Sequence, residues 1–408
     1  MFLMRRRQND HGMTSSSTKQ KKRWLQTSTY FISVTSFGAI SAAFGPVLPD
    51  LALQMQTSLG MIGLLFSFRG LGFLLGSLLG GPVYDRFPGH PILAAGMLLQ
   101  ALTFALVPVV NDFWLLMLIM VVMGMAGSLL LIGSNTLVVW VHPENVSPWV
   151  TAVSVFSGAG GFLSPLFIAG ALFLTDELRW AFWTLALLML VGAVFIFSIS
   201  SPVIRKREET QGSDNSINYG LVFLFALVFL LYVGAEVSFK GWIYTITIAF
   251  HPQATASAAL LTSAYWATMA IGRLLAIPIS SRLRPRTILI VDFLGALLSL
   301  CCVLFLADSL LALWLGTIGF GLFMASIFPT WMAFADQKMK IDGKINGLFF
   351  AGTAVGGMIF PWLSGQMFDI NGPQAAILVI LFSLLVAAGI FGTMTRVKSA
   401  QKNGVGLV

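Results

Sequence analysis

The stretch "GSLLGGPVYDR", Gly76 to Arg86, decides the fold once it is laid on "GRLLAIPISSR", Gly272 to Arg282. With Gly76 on Gly272, Pro82 falls on Pro278 and Arg86 on Arg282, and beyond them Ile92 and Leu93 fall on Ile288 and Leu289. The same register, without gaps, places Gly38 and Gly45 on Gly234 and Gly241. It also places Gly160, Gly161 and Pro165 on Gly356, Gly357 and Pro361. Separate segments agreeing in one register read as an internal repeat. The chain is two copies of one unit.

Hydropathy says what the unit is. The 408 residues are 57% hydrophobic and 10% charged, against about a quarter charged in soluble domains. The apolar runs reach the roughly twenty residues a helix needs to cross a hydrocarbon core of about 30 Å. A transmembrane barrel would instead alternate over roughly ten-residue strands. Twelve runs predict helices near 28–49, 61–83, 91–110, 113–140, 150–174 and 180–199, then 219–249, 256–281, 286–307, 310–335, 345–369 and 373–396. The expected fold is an all-α membrane protein, twelve transmembrane helices in two pseudo-symmetric six-helix bundles. The bundles span 28–200 and 219–397, joined by the polar linker "SPVIRKREETQGSDNSIN" at 201–218. Residues 1–27 ("RRR", "KQKKR") read as a disordered basic tail, and 398–408 as a second tail.

Lys and Arg set the orientation. Arg86, Arg205, Lys206, Arg207, Arg282, Arg284, Arg286, Lys338, Lys340, Lys344, Arg396, Lys398 and Lys402 share one side with the basic tail; the other side has Arg179. Both termini are therefore expected in the cytoplasm of a multi-pass cell-membrane protein. The net charge of +8 sits at the ends of apolar runs, where it serves topology, so no nucleic-acid partner is expected. Cys301 and Cys302 are adjacent inside one run and suggest packing. His11, His90, His142 and His251 read as tail or loop residues without metal-ligand spacing. No catalytic residue, metal or cofactor is expected, and the chain reads as a non-enzyme and a monomer among lipids.

Ionised residues inside spans carry the functional signal, because a charge at the bilayer centre costs at least about 2.5 kcal/mol. "GAEVSFKGWIYT", Gly234 to Thr245, holds Glu236 and Lys240 one turn apart, followed by Trp242 and Tyr244. Glu before Lys at this spacing is the favourable order. Two readings stand: a self-neutralising pair with Lys240 reaching toward headgroups, or a pair facing a central cavity. Arg69 lies within the second span with no acid on its own helix, and a guanidinium does not escape by deprotonating. Arg273 and Asp292, on neighbouring helices, read as a structural pair. Pro165, Pro329 and Pro361 inside spans suit hinged helices better than a rigid pore.

In "GGPVYDRFPGH", Gly81, Asp85 and Arg86 match the G-x-x-x-D-R start of the signature loop of the major facilitator superfamily. The loop then departs from the pattern at Pro88-Gly89-His90, and the second copy has Ser281 in place of the acid. Over nearly its whole length the chain resembles that superfamily. Within it, the chain resembles the fucose–proton symporter-like branch and the sodium-dependent glucose transporters. "GPVLPDLA" (Gly45 to Ala52), "FRGLGFLLGSLLGG" (Phe68 to Gly81), "GSNTLVVW" (Gly133 to Trp140), "VGAEVSFKGWIYT" (Val233 to Thr245) and "FPTWMAFA" (Phe328 to Ala335) carry it.

The resemblance implies a central cavity faced by helices 1, 4, 7 and 10. Asn135, Thr136, Glu236, Lys240, Trp242, Tyr244, Thr330 and Trp331 would then line a site for a small hydroxylated solute, or serve as interhelical glue. It also implies that helices 2 and 7 meet, making Glu236 the expected partner of Arg69 in an outer gate with Lys240. Acids that fucose–proton symporters place in helices 1 and 4 are absent from 28–49 and 113–141, so those proton sites do not carry over. The expectation is a secondary transporter of a small polar, sugar-like solute, coupled to sodium or protons. An exporter of amphipathic compounds and a non-transporting membrane receptor or sensor are the rivals.

Overall fold

The computed structural model describes residues 2–144, 146–175, 177–203, 218–339, 341 and 343–395. Among them regular structure is wholly helical. The first six long helices are α1 (Phe2–Gln54), α2 (Leu64–Arg86), α3 (Gly89–Leu106), α4 (Phe113–Val141), α5 (Val146–Thr175) and α6 (Leu178–Ser198). The second six are α7 (Tyr219–Phe250), α8 (Thr255–Ser280), α9 (Pro285–Phe305), α10 (Leu310–Lys338), α11 (Gly343–Asn371) and α12 (Pro373–Met394). Twelve helices are long and apolar enough to cross a membrane, and large side chains such as Leu78, Phe173, Phe223 and Leu298 stand exposed on their outer surfaces. The protein is a multi-pass membrane protein.

Helix α1 begins at Phe2 rather than near Ser28, so the basic tail extends the first span as helix instead of the irregular segment expected. Its Lys, Arg and Gln are good helix formers, and Pro46 and Pro49 are the only prolines in α1. The basic residues Arg205, Lys206, Arg207, Lys340, Arg396, Lys398 and Lys402 lie outside the described residues.

Lipid tails are as apolar as leucine, so membrane helices associate through close packing and small residues at their crossings. The repeat supplies these crossings in pairs. An added Cβ at Gly76 would strike Ser128 and the Met125 carbonyl, fastening α2 to α4; at Gly272 it would meet Ala325 and the Leu322 carbonyl (2.6 and 2.7 Å), fastening α8 to α10. Gly160 likewise sits on the Thr35 carbonyl of α1, and Gly356 on the Leu230 carbonyl of α7. Between bundles, α2 packs on α11 and α5 on α8, two contacts that exchange under the repeat. The molecule is a pair of related bundles about a pseudo-two-fold axis.

With α1 starting and α12 ending on one side, that side is the termini face, and its opposite the distal face. Among the described residues, two hydrogen bonds cross between the bundles toward the distal face. The Ser67 hydroxyl donates to the Met358 carbonyl (2.6 Å), and the Gly60 N–H donates to the Asp369 carboxylate (2.7 Å). Gly45 of α1 lies against the Lys240 carbonyl of α7 (3.0 Å from an added Cβ) in the same half. At the termini face, by contrast, Gly81 near the end of α2 and Gly347 near the start of α11 have nothing within 4 Å of an added Cβ. The printed contacts thus place a hydrogen-bonded closure between the bundles in the distal half.

Candidate functional site: a charged cavity between the bundles

A cavity of about 200 Å³ lies where both bundles meet. The first contributes Phe37 and Ser41 of α1, Phe66, Arg69, Gly70 and Phe73 of α2, and Met123, Gly124 and Gly127 of α4. The second contributes Val233, Val237 and Lys240 of α7, and Thr353, Ala354 and Gly357 of α11. Helix α10 supplies no lining residue, unlike the expected set of helices 1, 4, 7 and 10. The Gly-rich turns of α4 bring backbone to the cavity wall: an added Cβ at Gly124 would strike the Arg69 carbonyl, and one at Gly127 would crowd Phe37 (3.3 Å).

Glu236 and Lys240 pair as their spacing predicts, Nζ to Oε1 at 2.9 Å. The other carboxylate oxygen accepts from the Tyr232 hydroxyl (2.9 Å). The Lys240 ammonium lies 5.2 Å from the centre of the Trp266 ring, so an aromatic face supplements its counter-ion. Lys240 faces the cavity, while Glu236 stands behind it, 9% exposed. The charge of Arg273 on α8 also reaches Glu236.

Arg69 does not take the partner expected of it. Its guanidinium donates to the Ser41 hydroxyl (2.8 Å) and lies 5.6 Å from the Phe44 ring centre. Glu236 is engaged within its own helix, and α1 rather than α7 supplies the neighbour of Arg69. The Arg273–Asp292 pairing is also overturned: Asp292 accepts from Ser326 (2.7 Å), and Arg273 points along its own helix to the Met269 sulfur (3.7 Å). Sequence adjacency of α8 and α9 did not bring the two side chains together.

Several expected lining residues are packed into the bundles instead. Trp242 is fully buried, its indole donating to the Pro361 carbonyl (2.8 Å). Trp331 is 1% exposed, donates to the Phe225 carbonyl (3.2 Å), and Thr330 beside it is buried. The Asn135 amide donates to Leu131 of its own helix (2.8 Å), while Thr136 and Tyr244 are half-buried away from the cavity lining. Trp242 and Trp331 act as interhelical glue, and Asn135 bonds within its own helix. Asp85 and Arg86 stand exposed at the end of α2, and among the described residues neither has an ion pair. Gly81 accordingly makes no close approach in this state.

His90 is no loop residue: it is fully buried in the first turn of α3, between the Ile199 carbonyl (2.8 Å) and the Tyr30 hydroxyl (3.1 Å). His142, just beyond α4, stacks on Trp149 and meets the Thr27 hydroxyl (2.7 Å). Burial, then the nearby Arg23 charge, hold its imidazole below the ordinary range, against the pull of Glu144. Among the described residues no His, Cys, Asp and Glu cluster could hold a metal.

Ser41 and Thr353 were not singled out from sequence; the Gly124 and Gly127 spacing on α4 was the available signal, since small residues mark a surface closely approached. Residues 29–350 match the family model described as Major Facilitator Superfamily.

The chain belongs to the Major Facilitator Superfamily.

Among this superfamily member's relatives, sodium-dependent glucose transporter 1 of Xenopus laevis is 28% identical over 393 residues, covering 89% of this chain and 80% of that one. Sodium-dependent glucose transporter 1A of Mus musculus is 27% identical, covering 88% and 92%. Major facilitator superfamily domain-containing protein 4A of Danio rerio is 26% identical, covering 92% and 86%. The crystal structure of the nucleoside transporter NupG superposes with a TM-score of 0.74 at 15% identity, covering 92% of this chain and 100% of that one. That likeness concerns the fold. The superfamily member is a secondary active solute transporter.

Proposed function

We propose that this transporter imports a small hydroxylated, sugar-like solute across the cell membrane by alternating access, coupled to sodium or protons through Glu236. The observation that carries the reading is the cavity itself, walled by both bundles and edged by Lys240 and Arg69. Charged side chains persist at this depth because they look into a wet chamber rather than at lipid. The distribution of Lys and Arg supports cytoplasmic termini, which makes the hydrogen-bonded distal face the outer gate. The names of the glucose-transporting relatives support a sugar-like solute.

Coupling follows from the contacts of Glu236. Its carboxylate is held by an internal ammonium and a phenol, and a cation or proton reaching it competes with Lys240 directly. Displacement of Lys240 frees its long side chain from Glu236 and alters the cavity wall. Placed charges in the wall argue against export of amphipathic compounds, which an apolar cavity would suit better.

Uptake into proteoliposomes tests the reading. Radiolabelled glucose or glucuronate should accumulate above equilibrium under an inward sodium or proton gradient and not without one. Binding without flux would favour the sensor reading and contradict transport.

A further inference from the structure

The charges around the cavity do not balance. Arg69 and Lys240 are its lining cations, no acid is among the lining residues, and Glu236 stands behind Lys240. Glu236 answers Lys240 directly. Among the described residues Arg69 has a single hydrogen bond, to a neutral hydroxyl, although a guanidinium carries five N–H donors in one plane. Phe44 lies 5.6 Å from its carbon. Gly70, Gly124 and Gly127 line the cavity with Arg69, as do Val233 and Val237, whose side chains offer no acceptor.

We propose that the substrate supplies the missing anion: it carries a carboxylate that pairs with Arg69, and belongs to the hydroxylated monocarboxylates of the sugar-acid kind. A planar carboxylate matches the guanidinium fork, and such bidentate pairs are the strongest hydrogen-bonded ion pairs available. A single negative charge fits because the second cavity cation is already neutralised. The sugar-like remainder then meets Ser41, Thr353 and the Phe37 and Phe73 rings. Binding also gives the cycle a driving contact. An empty carrier holds a partly desolvated guanidinium without counter-charge, and the loaded carrier holds an ion pair. This proposal rests on the reading of the cavity as the transported solute's site.

The test compares glucose, glucuronate and glucose 6-phosphate on the full-length purified protein, by calorimetry and by competition for uptake. Glucuronate should bind at least tenfold more tightly than glucose. Arg69→Gln should weaken glucuronate by about 10- to 100-fold, while Arg69→Lys, which keeps the charge, should recover part of the loss. Glucose binding as tightly as glucuronate to the unaltered protein would overturn the proposal and leave the transport of a neutral sugar standing, whether or not the Arg69 variants fold. Preference for glucose 6-phosphate would overturn the carboxylate assignment. Failure of all three compounds to bind or compete would remove the sugar-like reading along with it.

Discussion

Replacing Glu236 by glutamine should cost about 3 kcal/mol of stability and abolish coupled uptake. The figure is the lower end of the range for breaking a buried ion pair, because the two side chains retain 12% and 17% exposure. The cost comes from Lys240. Its ammonium keeps the Trp266 face, but that interaction reaches about 2 kcal/mol only when desolvated, and the counter-ion is gone. The double variant Glu236→Gln/Lys240→Met should therefore be more stable than Glu236→Gln alone, since exchanging both partners of a buried pair is often neutral. It should still fail to respond to sodium or protons, because the carboxylate on which they act is missing. Thermal unfolding in detergent and gradient-driven uptake read the two parts separately. A double variant no more stable than the single one would show that the pair is not the unit described.

The second large effect lies at a helix crossing. Gly356→Ala and Gly160→Ala should each destabilise by about 1–3 kcal/mol, the range for overpacking a close contact. At both sites the new Cβ meets a backbone carbonyl of the neighbouring helix, Leu230 or Thr35, which cannot rotate aside. Larger residues there should prevent folding. Gly389→Ala and Gly392→Ala on α12 are the controls: nothing lies within 4 Å of either added Cβ, and helix propensity favours alanine by about 1 kcal/mol. Similar losses at all four positions, measured as thermal midpoints, would mean that glycine matters for helix flexibility rather than for packing between helices.

The crossings also show what sequence carries and what it does not. Gly160 with Gly356 and Gly76 with Gly272 are legible because backbone approach admits one residue type, so the repeat survives as identities. The Glu236–Lys240 pair is legible because i, i+4 geometry is fixed by the helix itself. Arg69 was legible as a problem and not as a solution. Its neighbour is Ser41, on a helix whose rotation no local pattern states. The same gap misplaced Trp242 and Trp331: an aromatic type suits both a cavity wall and a bundle interior, and packing decides which face turns inward. Arg273 and Asp292 failed for a third reason, since neighbouring helices share an edge but not every face. The signature loop was legible as sequence, yet Asp85 and Arg86 stand exposed without an ion pair among the described residues.

Two related bundles should rock about the cavity they share. The most direct test is a pair of distances by spin labelling of the full-length protein in nanodiscs. One pair, Gly81→Cys with Gly347→Cys, spans the termini face, where both positions have free space. The other, Met61→Cys with Ile370→Cys, uses two exposed residues beside the Gly60–Asp369 contact at the distal face. On cycling with substrate and ion gradient, the first distance should shorten in the same population in which the second lengthens. Two distances that stay fixed while solute is taken up, or that open and close together, would contradict the account.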